Sequence, residues 1–205
     1  MNFTPLQAGV FILPIMVAAA IGGPIAGYLS NLFGLRWIAT ISLLMAAGAL
    51  IGLGYSSLNA PGLIVPVILA LIGLSLNIGL TASSIAIMGS VSAEKGGAAG
   101  SLEATGYELG TGLGIKFFGV FKDNLFSRHI NVPEAISSRL AEQARLSIGD
   151  SYLVAAQLSE AQSQAIILAA KQAFSTIHMT LLNIAGIMML VLAAVVYVML
   201  KKYCA

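Results

Sequence analysis

Two carboxylates, Glu103 and Glu108, interrupt a stretch that is otherwise apolar enough to lie inside a bilayer. An ionisable group at membrane depth is costly unless it faces a bundle interior or a water-filled space, so each acid is a candidate functional group by default. A carboxyl in low-dielectric surroundings holds its proton until a cation or water displaces it, and that is the chemistry of proton-coupled cation exchange. Tyr107 lies beside Glu108, and Asn77 lies at membrane depth in the preceding apolar run. Both could line the same cavity, although polar groups at that depth also serve as plain interhelical hydrogen-bonding groups, as Asn183 could. A carboxyl held by a neighbouring Asn, Ser or Tyr is the structural alternative. It stands level with the functional reading for Glu103, while the deeper Glu108 favours function. His178 has no second ligand-type residue near it, and no Ser/His/Asp set or cofactor motif occurs. The chain is therefore expected to be no enzyme and to hold no metal and no cofactor.

The elements that must position these groups follow from composition. Hydrophobic residues make up 58% of the 205 residues and charged residues only 9%, with mean hydropathy +0.93. Soluble domains carry about 25% charged residues. Arg36 is the only charged residue before Glu94. This excludes a soluble domain and a nucleic-acid-binding surface, and it makes the lipid bilayer the first partner. Windows of about 20 apolar residues predict an all-α integral membrane protein with five transmembrane helices, near 6–29, 37–55, 63–88, 98–121 and 173–200. Asn59-Ala60-Pro61-Gly62 reads as the turn between the second and third. Pro14, Pro24 and Pro66 fall inside or at the edge of spans, and Gly22-Gly23-Pro24 with Gly27 predicts a break in the first. Cys204 is the single cysteine, so no internal disulfide forms, and the first apolar run is too long for a signal peptide.

Short-loop charge sets the orientation. Arg36, Lys95, Lys201 and Lys202 all lie in connections on one side, and the opposite short segments carry no basic residue. The positive-inside rule then makes residues 30–36, 90–97 and the C-terminus (the tail of the 173–205 segment) cytoplasmic. Residues 122–172, with five basic and five acidic side chains between Lys122 and Lys171, form an external helical hairpin before the last helix. Asn131 and Pro133 read as a helix start, Ile136, Leu140 and Ala144 as its apolar face, and Gly149 as its end. Ser159 with Gln162 reads as a capping box opening a helix that runs on into the fifth span.

The fourth span, 98–121, carries the acids. At about 1.5 Å per residue, Glu103 comes roughly 7 Å and Glu108 roughly 15 Å into the membrane, about 140° apart around the helix. Lys116 reaches the outer end, where its stem can snorkel. Gly106, Gly110 and Gly114 form a GxxxGxxxG row expected to pack against a neighbouring helix. Glu108 lies about 160° from that row and Glu103 about 60° from it.

The run Gly27-Tyr28-Leu29-Ser30-Asn31-Leu32-Phe33-Gly34-Leu35-Arg36 resembles the cytoplasmic loop signature of the major facilitator superfamily, G-x-L-x-D-R-x-G-x-[RK]. The helix entry Thr4-Pro5-Leu6-Gln7-Ala8-Gly9 with Leu13-Pro14 is similar to the corresponding helix in its fourteen-span drug:proton antiporters. The run from Glu94 through Glu103, followed by Tyr107-Glu108-Leu109-Gly110, is similar to their penultimate helix. The resemblance covers essentially the whole chain and is nearest to the methyl viologen and quaternary ammonium efflux group. It implies a partial major facilitator fold, comprising the last five spans of a multi-pass protein of the bacterial inner (cell) membrane, with the N-terminal half of the transporter missing from this chain. It also implies the C-terminal portion of a multidrug exporter that exchanges small cationic lipophilic substrates for protons, with Glu103 and Glu108 as its membrane acids. The alternative is a truncated, non-transporting membrane module that only packs with other helices. Asn31 stands where the signature has Asp, and Leu32 where it often has Arg, so most of the loop's charge network is absent and Arg36 remains.

Overall fold

A computed structural model of the chain describes residues 4–56, 62–133 and 136–201. The described residues form helices only: α1 (Pro5–Phe33), α2 (Leu35–Tyr55), α3 (Ile64–Gly89), a 3-10 turn at Ala93–Lys95, α4 (Gly96–His129), α5 (Ser138–Ala144), α6 (Ile148–Ala155) and α7 (Glu160–Lys201). The chain is an all-α membrane protein: α2 and α3, Gly9–Phe33 of α1 and Glu160–Leu200 of α7 are long and apolar enough to cross a bilayer. Lipid leaves no water for backbone groups, so helices, which satisfy them internally, are the form such segments take. α4 is equally continuous, but Glu103, Glu108 and Lys116 leave it more polar than those four. The turn expected at Asn59-Ala60-Pro61-Gly62 falls largely outside the described residues, as do Lys202 and Cys204.

Local hydrogen bonds start the first helix. Thr4 accepts from the Gln7 backbone N–H at 3.3 Å, and the Gln7 side chain accepts from the Thr4 N–H at 3.0 Å. This reciprocal box satisfies two otherwise orphaned donors, and Pro5 in the first turn has no N–H to orphan. The break expected at Gly22-Gly23-Pro24 is absent, and α1 runs unbroken through Pro14 and Pro24. Its glycines serve packing instead. A Cβ on Gly22 would come within 3.0 Å of Asn77 Cβ and the Leu74 carbonyl, and one on Gly23 within 3.3 Å of Asn77 Oδ1.

The chain divides into two compact units, one of residues up to Tyr107 together with those from Leu182 on, the other of Glu108–Leu181. In the first, small residues let helices approach. Gly73 of α3 lies on the Ile15 carbonyl of α1, a Cβ on Gly79 would meet Ser42 Oγ of α2 at 3.1 Å, and Gly186 of α7 faces Ile51 and the Ala47 carbonyl. Ala26, Ile38 and Ile78 form the buried core there, while Leu13, Met16, Val17 and Ile21 of α1 point outward, as lipid-facing side chains do.

The second unit contains the whole of the expected segment 122–172 and extends beyond it on both sides, and its helices start and stop elsewhere than expected. α4 extends to His129 and α7 begins at Glu160, so both run well into residues 122–172. Neither Asn131 nor Pro133 opens a helix. Ser137 precedes α5 without a side-chain cap, and Gly149 lies inside α6, where Ser147 caps by accepting from the Asp150 N–H at 3.1 Å. Ser159 donates to Gln162 Oε1 at 3.0 Å, so the two residues expected to open this helix are paired. The expected continuity of this helix into the last span is observed. Ile136 and Ala144 are buried with Val154, Ala155 and Ile166, and Leu140 packs against them. Phe126, Ile130, Ala170, Ala173 and Ile177 make a second cluster between the ends of α4 and α7.

Candidate functional site

Two constellations in the first unit involve the residues singled out by sequence. The first is a cavity of about 780 Å³. Ile15 and Ala19 of α1, Ala46 of α2, Asn77 of α3, Tyr107 of α4 and Met199 of α7 contribute to its wall, which carries no charged side chain. Tyr107 and Asn77 were expected to share a cavity, and they do. Thr81 donates to Asn77 Oδ1 at 3.5 Å, so Asn77 is held along its own helix. Ser42 and Ser75, also on the wall, donate to the carbonyls of Ala39 and Ile72 at 2.9 and 3.0 Å and present little free polarity. The space therefore accepts an apolar body, with the Tyr107 ring as its main aromatic surface.

Glu103 lies one helical turn before Tyr107 on α4. It is partly buried, and its Oε2 accepts a hydrogen bond from the Ser84 hydroxyl of α3 at 3.3 Å. Ser83, the neighbour of Ser84, is on the cavity wall. A Cβ on Gly100 would meet Met88 Cε at 3.3 Å, so the same ends of α3 and α4 also touch through apolar atoms. Sequence reasoning missed Ser84. Its signal is symmetry about the short turn at residues 90–95: in an antiparallel helix pair, residues equidistant from the turn share a level, which matches Ser84 with Glu103 and Met88 with Gly100. Glu108 belongs to the second unit and is exposed there. At Gly106, Gly110 and Gly114 an added Cβ would meet nothing within 4 Å, so this row packs against none of the described residues.

The second constellation surrounds the loop run. Gly34 alone connects α1 to α2 with φ +81° and ψ 146°, a conformation open to glycine, and its N–H donates to the Ser30 carbonyl at 3.1 Å. Arg36 follows in the first turn of α2. Its Nε donates to the Tyr197 carbonyl of α7 at 3.0 Å, and its guanidinium carbon sits 3.7 Å from the centre of the Tyr197 ring. Trp37 meets the same ring edge-on, with centres 5.5 Å apart. Asn31 is exposed and Gly27 has no close neighbour, so Gly34 and Arg36 are the members of the run whose identity the structure uses.

No protein-family model matches the chain. Among curated proteins it is 39% identical over 98% of its length to the methyl viologen resistance protein SmvA of Salmonella typhimurium, covering 41% of that protein. It is 29% identical, again over 98% of its length, to the multidrug efflux pump LfrA of Mycolicibacterium smegmatis, covering 40% of it. Over 58% of its length it is 26% identical to the tetracenomycin C resistance and export protein of Streptomyces glaucescens. The chain spans about two fifths of the length of the first two. Over nearly all of its own length, then, it is similar to a methyl viologen resistance protein and to a multidrug efflux pump.

Proposed function

We propose that this chain is the C-terminal portion of a proton-coupled exporter of lipophilic cations, of the quaternary ammonium or viologen kind, in a bacterial inner membrane. In this reading α4 is a fifth membrane crossing, residues 122–172 face outward and the C-terminus is cytoplasmic. The N-terminal half of the transporter supplies the opposite wall of the site. The observation that carries the reading is the uncharged cavity bordered by Tyr107, one turn from a partly buried acid, Glu103. The lipophilic body of a guest fits the apolar wall. Its positive charge finds the Tyr107 ring, at about 0.5–2 kcal/mol for a cation–π contact, and a carboxylate that is free to attract it only after releasing its proton. Glu103 and Glu108 are the two groups able to make that exchange. Cation binding expels a proton, and proton return from outside expels the cation there. The named relatives, a methyl viologen resistance protein and a multidrug efflux pump, are consistent with this.

The test is a chimera in which this segment replaces the matching region of Salmonella SmvA. Glu103→Gln and Glu108→Gln are expected to keep expression and membrane insertion, with at least one losing most ethidium efflux. Unchanged efflux in both single variants and in the double variant would overturn the proposal.

A further inference from the structure

The link between Ser84 and Glu103 has a consequence for how the acid is used. α3 carries no ionisable side chain from Ile64 to Gly89, so the Ser84 hydroxyl is what this helix offers to the Glu103 carboxylate. On the other side, α4 itself bears Tyr107 and Glu108, and the turn before it bears Glu94 and Lys95. Among the described residues none of these forms an ion pair with Glu103. Arg36, the one charged residue of α2, is engaged by Tyr197 of α7. The environment that decides between the two forms of Glu103 thus includes one directed donor and no counter-charge.

We infer that Ser84 is the positioning residue for Glu103: its hydroxyl holds the carboxylate and ties α4 to α3. With Glu103 ionised, the Ser84 O–H donates to a full negative charge, and such bonds are roughly twice as strong as neutral ones. When Glu103 takes a proton on either oxygen, the pair becomes a neutral hydrogen bond and the α3–α4 link weakens. Proton uptake on α4 is thereby felt on α3, the helix that also contributes Asn77 and Ser83 to the cavity. The inference rests on the exporter reading for its role in transport, but not for its test.

That test is an infrared pH titration of the full chain in lipid nanodiscs, which reads the carboxyl band directly. The Glu103 band is the one missing from Glu103→Gln. Ser84→Ala, which removes the donor, is expected to shift the frequency of that band, whereas Ser84→Thr, which keeps the hydroxyl, leaves it unmoved. Ser84→Cys retains size with a weaker donor and falls between them, which decides the matter if the alanine variant loses helix content. A frequency unchanged in both Ser84→Ala and Ser84→Cys, an equal shift in Ser84→Thr, or no Glu103 band would overturn the inference. A chimera that fails to export while the band still shifts refutes the exporter reading alone.

Discussion

The Arg36 guanidinium lies 3.7 Å above the ring of Tyr197 while its Nε donates to the Tyr197 carbonyl at 3.0 Å, so one side chain fastens the start of α2 to the end of α7 in two ways. The carbonyl is in the last turns of a helix, where cations are favoured, and the planar guanidinium can stack and donate at once, as an ammonium cannot. Arg36→Lys is therefore expected to behave more like Arg36→Ala than like the wild type. Tyr197→Leu, which removes the ring but not the carbonyl, should lose the stacking on Arg36, about 0.5–2 kcal/mol, and the edge contact with Trp37. Thermal unfolding of the detergent-solubilised chain orders the three variants. A lysine variant as stable as wild type would mean that stacking combined with the Nε hydrogen bond contributes nothing.

Gly34 carries the α1–α2 connection alone at φ +81°. Any other residue in that region is strained by about 1–3 kcal/mol. Gly34→Ala is expected to lower the unfolding midpoint, while Gly27→Ala, at an open helical position, should leave it unchanged or raise it slightly. The pair of midpoints checks both statements in one experiment.

The glycines of α3 and α4 should part company in the same way. An alanine at Gly73 runs into the Ile15 carbonyl, backbone that cannot turn aside, so Gly73→Ala is expected to cost several kcal/mol or prevent folding. Gly106→Ala, Gly110→Ala and Gly114→Ala meet no atoms of the described residues and gain helix propensity, up to about 1 kcal/mol each. If the same three substitutions abolish efflux in the full-length chimera while leaving the isolated chain intact, that row packs against helices this chain does not contain.

How far the sequence announced these arrangements depends on the kind of signal each one uses. The membrane class and four apolar helices were legible because hydropathy acts locally. Gly22-Gly23-Pro24 misled, since glycine next to proline is written the same way for a helix break as for a face pressed against Asn77. The ends of α4 and α7 ran further than polarity implied because Phe126 and Ile130 gain burial against Ala170, Ala173 and Ile177, contacts that are distant in sequence. At the site, Tyr107 and Asn77 were readable as polar groups out of place, but Ser84 was not. A serine in an apolar helix ordinarily bonds to its own backbone, as Ser83 does to Leu80, and only the register of α3 on α4 shows that Ser84 reaches a carboxylate.

The central claim is that a cation and a proton compete for the membrane acids of this segment. Proton release when ethidium binds to the purified chimera, followed with a pH indicator in weakly buffered detergent solution, measures that competition without transport. The account predicts release on the order of one proton per cation bound, greatly reduced in the Glu103→Gln/Glu108→Gln double variant. Tight ethidium binding with no proton release, or undiminished release from the double variant, would contradict it.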